Sequence, residues 1–236
     1  MSSLIADLNP RQREAVIHRG SPLLVLAGAG SGKTRVITRR IAHLIEEGVA
    51  SNTILALTFT NKAAREMADR VRVLLNEESM KGITVGTFHA IGLQILDKDG
   101  HILGLPSHRS LMDAGDQQAA LRQCLKDLKM DPKSHDTMHL LEVISGARHR
   151  FKSPEDIARE PGRKLSARIY KAYLAQKAAY GRLDFDDLIL KPIELFRSHP
   201  DVLAKWRQRF GHILVDEFQD TSLSQLEFIK LLASEH

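Results

Sequence analysis

Ala27-Gly28-Ala29-Gly30-Ser31-Gly32-Lys33-Thr34 follows the apolar run Leu23-Leu24-Val25-Leu26 and precedes Val36, Ile37, Ile41, Leu44 and Ile45 at helical spacing. A glycine-rich turn between an apolar strand and an amphipathic helix is where backbone N–H groups and the helix dipole hold a polyphosphate. The spacing predicts a buried parallel strand at 23–26, a phosphate loop at 27–34 and a helix after it. Gly28, Gly30 and Gly32 let the backbone turn tightly and approach phosphate oxygens without a Cβ in the way. Lys33 supplies a point charge for the β- and γ-phosphates, and the Thr34 hydroxyl a Mg²⁺ ligand. Where such loops usually begin with glycine, this one has Ala27.

The partner of this loop is Leu214-Val215-Asp216-Glu217-Phe218-Gln219-Asp220. Two adjacent carboxylates end an apolar run, Ile213-Leu214-Val215, at the strand edge where open α/β sheets bind ligands. On its own such a pair caps a following helix just as readily. With a phosphate loop upstream, Asp216 is expected to hold the metal, directly or through water, and Glu217 to polarise the attacking water. One carboxylate serves poorly as both, because a metal-bound oxygen is a weak base. Gln219 is placed to sense the γ-phosphate. Nucleotide and Mg²⁺ are therefore the expected cofactors.

Working outward, residues 53–58 read as a second strand and 61–75 as a helix with Ala64, Met67, Val71 and Leu74 on one face. Residues 83–85 read as a third strand. Strand, helix, strand, helix, strand predicts a right-handed parallel sheet. From about 89 to 209 the patterns are helical, at 116–129, 138–149, 165–180 and 185–196, with no strand. The chain then returns to a strand at 212–215 and a helix at 222–233. The strands are too few for a complete core, so the sequence reads as part of a longer protein.

The 236 residues are 43% hydrophobic and 27% charged, a globular balance. No apolar run approaches the roughly 20 residues that span a bilayer, and the first residues lack a secretory pattern. The expectation is a cytoplasmic protein without membrane partners. The single cysteine, Cys124, shares a helical pattern with Leu121, Leu125 and Leu128 and reads as core, with a catalytic thiol as the alternative. A net charge of +5 permits a polyanionic partner. Arg148, His149, Arg150 and Lys152 cluster around Phe151, with Arg163, Lys164 and Arg168 soon after. That run reads as a solvated face, or alternatively as a phosphate-backbone contact.

Six motifs in order carry a resemblance over essentially the whole chain. They are Leu8-Asn9-Pro10-Arg11-Gln12, residues 27–34, Thr58-Phe59-Thr60-Asn61-Lys62-Ala63-Ala64-Arg65-Glu66-Met67, Gly86-Thr87-Phe88-His89, Asp184-Phe185-Asp186-Asp187-Leu188 and Val215 to Asp220. The chain resembles the N-terminal half of the Rep and UvrD-type DNA helicases of superfamily one, which also show alanine at the place of Ala27. The resemblance implies a P-loop NTPase (RecA-like) α/β fold, a parallel sheet with helices on both faces, interrupted by an all-helical insertion. It puts the lobe at 1–88 and 209–236 and the insertion at 89–208.

The resemblance makes Gln12 the reader of adenine, whose edge an amide matches as donor and acceptor, and Arg35 a further nucleotide contact. It makes Phe59, Thr60, Asn61, Thr87, Phe88, His89 and Phe185 contacts to single-stranded DNA. Hydroxyls hold phosphates and aromatics stack bases without reading sequence; without the family pattern these phenylalanines read as core. A second RecA-like lobe, the expected partner, supplies arginine fingers worth roughly 10³–10⁵ in related phosphoryl transfer. The expected activity is ATP hydrolysis coupled to movement on DNA, slow or absent in this stretch alone. The alternatives are the helicase lobe of a helicase–nuclease, a small-molecule kinase on the same phosphate loop, and a non-catalytic ATP-dependent binding module.

Overall fold

The computed structural model of the chain describes residues 3–28, 30–106 and 110–234. It opens with helices α1 (Ser3–Ala6), α2 (Pro10–Ile17) and α3 (Lys33–Glu46). Strand β1 (Ile54–Thr58), α4 (Asn61–Leu74), α5 (Glu77–Met80) and β2 (Thr84–Thr87) follow. Next come α6 (Phe88–Asp99), β3 (Ser110–Leu111), α7 (Ala114–Asp127), α8 (Thr137–His149), α9 (Pro154–Arg159) and α10 (Lys164–Ala179). Then β4 (Arg182–Leu183), α11 (Asp187–Ser198), α12 (Pro200–Arg209), β5 (His212–Val215) and α13 (Leu223–Ala233) complete the order. Two units emerge, one of residues 1–88, 201–221 and 230–236, the other of 89–200 and 222–229.

The first unit is α/β, with a parallel sheet in the order β2-β1-β5. Ile54, Leu55, Ala56 and Leu57 are each 0% exposed. An unbroken apolar run is what a central strand covered on both faces requires. Ile41 and Leu44 of α3, Met67 and Val71 of α4, and Leu214 of β5 pack with Ile54 and Ala56. Burying each large aliphatic side chain contributes about 1.5–3 kcal/mol. Leu57 lies opposite Gly86 and Val215. The Asp216 N–H donates to the Leu57 carbonyl at 2.9 Å, one step past β5. That bond brings Asp216 out at the C-terminal edge of the strands.

The strand expected at 23–26 is corrected. Leu23, Leu24, Val25 and Leu26 are 43%, 62%, 40% and 85% exposed and join no ladder among the described residues. Hydrophobicity makes a parallel strand only when neighbours take its N–H and C=O groups and helices cover its faces. The three-strand sheet provides neither for this segment.

In the second unit, Leu121, Cys124 and Leu125 of α7 pack with Ile144 and Ala147 of α8 and Ala167, Tyr170 and Tyr173 of α10. Capping boxes at Asp113 and Ser153 start α7 and α9. Helices α6 and α11 touch backbone to backbone: a Cβ on Gly92 would lie 1.7 Å from the Leu188 carbonyl oxygen. The expectation of no strand between 89 and 209 is also corrected, since β3 and β4 form a two-residue parallel pair. A ladder that short leaves no periodicity in a sequence. Cys124 is 2% exposed and burial pushes its thiol up to about 11, which keeps it protonated and excludes a catalytic thiolate. No helix among the described residues is long and apolar enough to cross a membrane.

Candidate functional site

Helix α3 begins at Lys33 with Gly32 as its N-cap at φ 89°, and no side chain caps it. By contrast Asn9 caps α2 and Thr60 caps α4 through their side chains. The first N–H groups of a helix have no partner within it, so α3 presents bare donors and the positive end of its dipole to an anion. Lys33 Nζ donates to the Ala27 carbonyl at 3.1 Å, curling the ammonium back over its own loop. The Ser31 hydroxyl donates to the Gly28 carbonyl at 2.6 Å and tightens the turn. Gly30 has φ 75° and open space where a Cβ would be. Ala29, assigned to the loop from sequence, lies outside the described residues.

Gln12 sits at the third position of α2 in a capping box with Asn9. Its Oε1 accepts from the Asn9 N–H at 3.2 Å, and its Nε2 donates to the Ser31 carbonyl at 3.0 Å. A Cβ on Gly32 would lie 3.0 Å from that Nε2, the movable end of a side chain, so it is the positive φ that favours glycine there. Arg35 pairs with the Asp7 carboxylate and donates to the Asp7 carbonyl at 3.3 Å. Thr34 is half-buried on the first turn of α3.

Asp216 is 8% exposed. Burial pushes its carboxyl above the usual range; the Glu217 charge adds to that, while the Glu217 N–H, Lys33 and Arg70 oppose it. Lys33 therefore acts electrostatically on Asp216, which ties the loop to the acidic pair. A carboxylate raised by burial is one that a cation relieves, so the donor set fits a divalent ion. Among the described residues no three His, Cys, Asp or Glu side chains form a metal-binding group. A Mg²⁺ carried by phosphates needs only one or two protein ligands, and Thr34 with Asp216 would supply them.

Glu217 has φ 51° and ψ 43°, left-handed for a non-glycine residue. That conformation costs roughly 1–2 kcal/mol and marks a residue held by its surroundings. Its N–H donates to Asp216 Oδ1 at 3.1 Å, and Gln219 Nε2 donates to its carboxylate. Arg70, on α4, went unnoticed in the sequence; it belongs to an exposed helix face, and only the fold puts its charge near Asp216.

Of the residues matched to single-strand contacts, Phe59 is partly exposed and its ring lies 5.8 Å from that of Phe88. Phe88 is 2% exposed, so it backs Phe59 and offers no face of its own. Thr60 Oγ1 accepts from the Ala63 N–H at 3.1 Å, which leaves its hydroxyl proton to donate. Asn61 is exposed and Thr87 buried. In the second unit, Phe185 is 49% exposed and meets the His89 ring edge-on at 6.1 Å. Burial holds the His89 imidazole below its ordinary value; Asp186 opposes the shift and His149 adds to it. The basic run at 148–152 is neither a solvated face nor a phosphate contact at its first member. Arg148 is 7% exposed and bonds Asp184, Asp186 and Asp187, and Lys152 pairs with Glu160.

A family model described as the UvrD/REP helicase N-terminal domain matches residues 8–236. The chain is 42% identical over 237 residues to a protein named ATP-dependent DNA helicase PcrA from Leuconostoc citreum, an alignment covering 99% of the chain and 32% of that protein. PcrA proteins of Staphylococcus epidermidis and Staphylococcus aureus are 40% identical over 238 residues, with the same coverage of 99% and 32%. The chain thus spans about a third of the length of these relatives.

Proposed function

The chain belongs to the UvrD/REP helicase family, and from that premise we propose that it is the ATP-binding portion of a motor that moves along single-stranded DNA. The observation carrying this is the helix start at Gly32 and Lys33 that no side chain caps, in the same α/β unit as Asp216, whose N–H bonds the Leu57 carbonyl one step past β5 at the C-terminal edge of the sheet. It supports a single site in which the bare N–H groups of α3 and the Lys33 ammonium bind phosphate oxygens. Gln12 on α2 would contact the base, and Arg35 on α3 would make a further nucleotide contact. Thr34 and Asp216 would hold Mg²⁺, which supplies neutralisation of charge on the transferring phosphoryl group. Glu217 orients a water and takes its proton, and Gln219 holds the Glu217 carboxylate and reports the γ-phosphate to the chain beyond.

Phe59, supported by Phe88, and Phe185, flanked by His89, would stack bases, while Thr60, Asn61 and Thr87 bind the backbone. We take 1–88 with 209–236 as the RecA-like lobe and 89–208 as the helical insertion. A second RecA-like lobe is the proposed partner that completes the site with arginines, and the cytoplasm is the proposed compartment.

The test combines two readouts on the chain. Glu217→Gln should abolish residual ATP hydrolysis while Mg–ATP still binds, because the amide keeps shape and loses the base. Affinity for oligo(dT) should fall with salt, at a log–log slope of about −0.7 per phosphate contact. Hydrolysis unaffected by Glu217→Gln, or salt-independent DNA binding, contradicts the proposal.

A further inference from the structure

Asp184-Phe185-Asp186-Asp187 sets one half-exposed ring among three carboxylates, an arrangement that would repel a polyanion if the charges were free. They are not free. Asp184 and Asp187 are 1% and 3% exposed and lock each other's backbone. Asp187 Oδ2 accepts from the Asp184 N–H at 2.9 Å, and Asp184 Oδ1 accepts from the Asp187 N–H at 3.1 Å. Lys177 pairs with Asp184, and with Asp187 at 2.5 Å. Arg148 donates to Asp184 at 2.9 Å, to Asp186 at 3.2 Å and to Asp187. The turn that carries Phe185 is thereby fixed, and two of its three negative charges are cancelled.

Asp186 is fastened from a further direction. His149 Nε2 lies 3.1 Å from Asp186 Oδ1, and His149 Nδ1 lies 2.6 Å from Ser224 Oγ. Ser222 Oγ lies 3.1 Å from Ser224 Oγ and accepts from the Gln225 N–H at 3.2 Å. A carboxylate only accepts, so Nε2–H donates to Asp186, and in the neutral imidazole Nδ1 is then the acceptor of the Ser224 hydroxyl proton. Ser222 in turn donates to Ser224. A one-directional chain of hydrogen bonds runs from Ser222 through Ser224 and His149 to the Phe185 turn. Serine, histidine and aspartate also build hydrolytic triads, but Ser224 is 0% exposed and attacks nothing.

We infer that His149 is a positioning residue that passes the state of the chain after the acidic pair to the Phe185 turn. In this relay Ser222, five residues after Glu217 in sequence, is the point at which a response of the Glu217–Gln219 segment to a γ-phosphate would enter. A displacement of about 1 Å stretches bonds of this length beyond hydrogen-bonding distance and releases Asp186 from one of its ties. The inference rests on the reading that Phe185 stacks on single-stranded DNA and that Glu217 and Gln219 face nucleotide.

The test is a linkage measurement on the chain with oligo(dT) carrying 2-aminopurine, titrated with and without a non-hydrolysable ATP analogue and Mg²⁺. The wild type should show a nucleotide-dependent change in DNA affinity of about fivefold or more. In Ser224→Ala, which keeps the His149–Asp186 tie, that factor should fall to about one while nucleotide-free DNA affinity and melting temperature stay near wild type; in His149→Phe, which removes the tie outright, the factor should also fall to about one, with DNA affinity in both conditions near the wild-type nucleotide-bound value. Serine to alanine is nearly isosteric, so that variant keeps the test sound if the histidine change disturbs packing. Retention of the wild-type factor in Ser224→Ala overturns the inference, as does a wild type that binds DNA with no nucleotide effect; in both cases the DNA-binding reading stands. A wild type that binds no DNA overturns the reading and the inference together.

Discussion

Lys33→Ala should eliminate the rise in melting temperature that Mg–ATP produces and leave the nucleotide-free melting temperature nearly unchanged. The protein bond recorded for Lys33 Nζ is to the Ala27 carbonyl at 3.1 Å, at a half-buried site where water replaces it readily. Its loss costs at most about 0.5–1.5 kcal/mol. Toward nucleotide the same ammonium bonds charged oxygens, each such bond being worth about 1.5–3 kcal/mol. Two of them make roughly a hundredfold or more in affinity. At a ligand concentration of about 100 Kd, nucleotide stabilises the wild type by about 2.7 kcal/mol, and the variant should show almost none of this. A large fall in the nucleotide-free melting temperature would instead make Lys33 a structural residue.

Lys177→Met should destabilise the chain by about 3–5 kcal/mol, the cost of removing one cation from a buried ion-pair network and leaving its carboxylates with Arg148 alone. For a chain of this size the drop in melting temperature is on the order of 10 °C. Lys177 is 5% exposed and pairs with Asp184 and Asp187. Burial alone would raise the Asp184 carboxyl, but Arg148 and Lys177 together hold it well below the usual carboxylate range. The sign follows: a depressed carboxyl contributes stability that is present above its unfolded value and lost as pH falls through its folded one. Removing Lys177 should therefore move acid unfolding to higher pH. Adding Asp184→Asn should recover part of the loss, because the surplus charge goes with it. Melting within a degree or two of wild type would mean that the buried network carries little energy.

The sequence declared the centre of the sheet and much of the helical plan because those elements follow from local pattern. Ile54 to Leu57 is apolar without a break, and Thr60 and Ser153 sit where helices need caps. The strand at 23–26 was misread because its formation depends on neighbours elsewhere in the sheet, and no property of Leu23 to Leu26 reveals whether they are present. The basic run at 148–152 misled for a related reason. Arg148 is separated by more than thirty residues from Asp184, Asp186 and Asp187, so composition could not show that its charge is consumed inside the fold. The same distance hid His149 between Ser224 and Asp186. The phosphate loop and the acidic pair were legible because their chemistry is compressed into a few residues; the effect of Arg70 on Asp216 was not, because it arises only in three dimensions.

The most direct measurement is diffraction from the chain crystallised with a non-hydrolysable ATP analogue and Mn²⁺, locating the metal by its anomalous signal. One ion should bind the Thr34 hydroxyl at about 2.0–2.2 Å, near the Mg²⁺–oxygen distance, and reach the Asp216 carboxylate directly or through one water. A metal on Thr34 with Asp216 too distant even for a bridging water would contradict the single nucleotide site on which the motor reading stands.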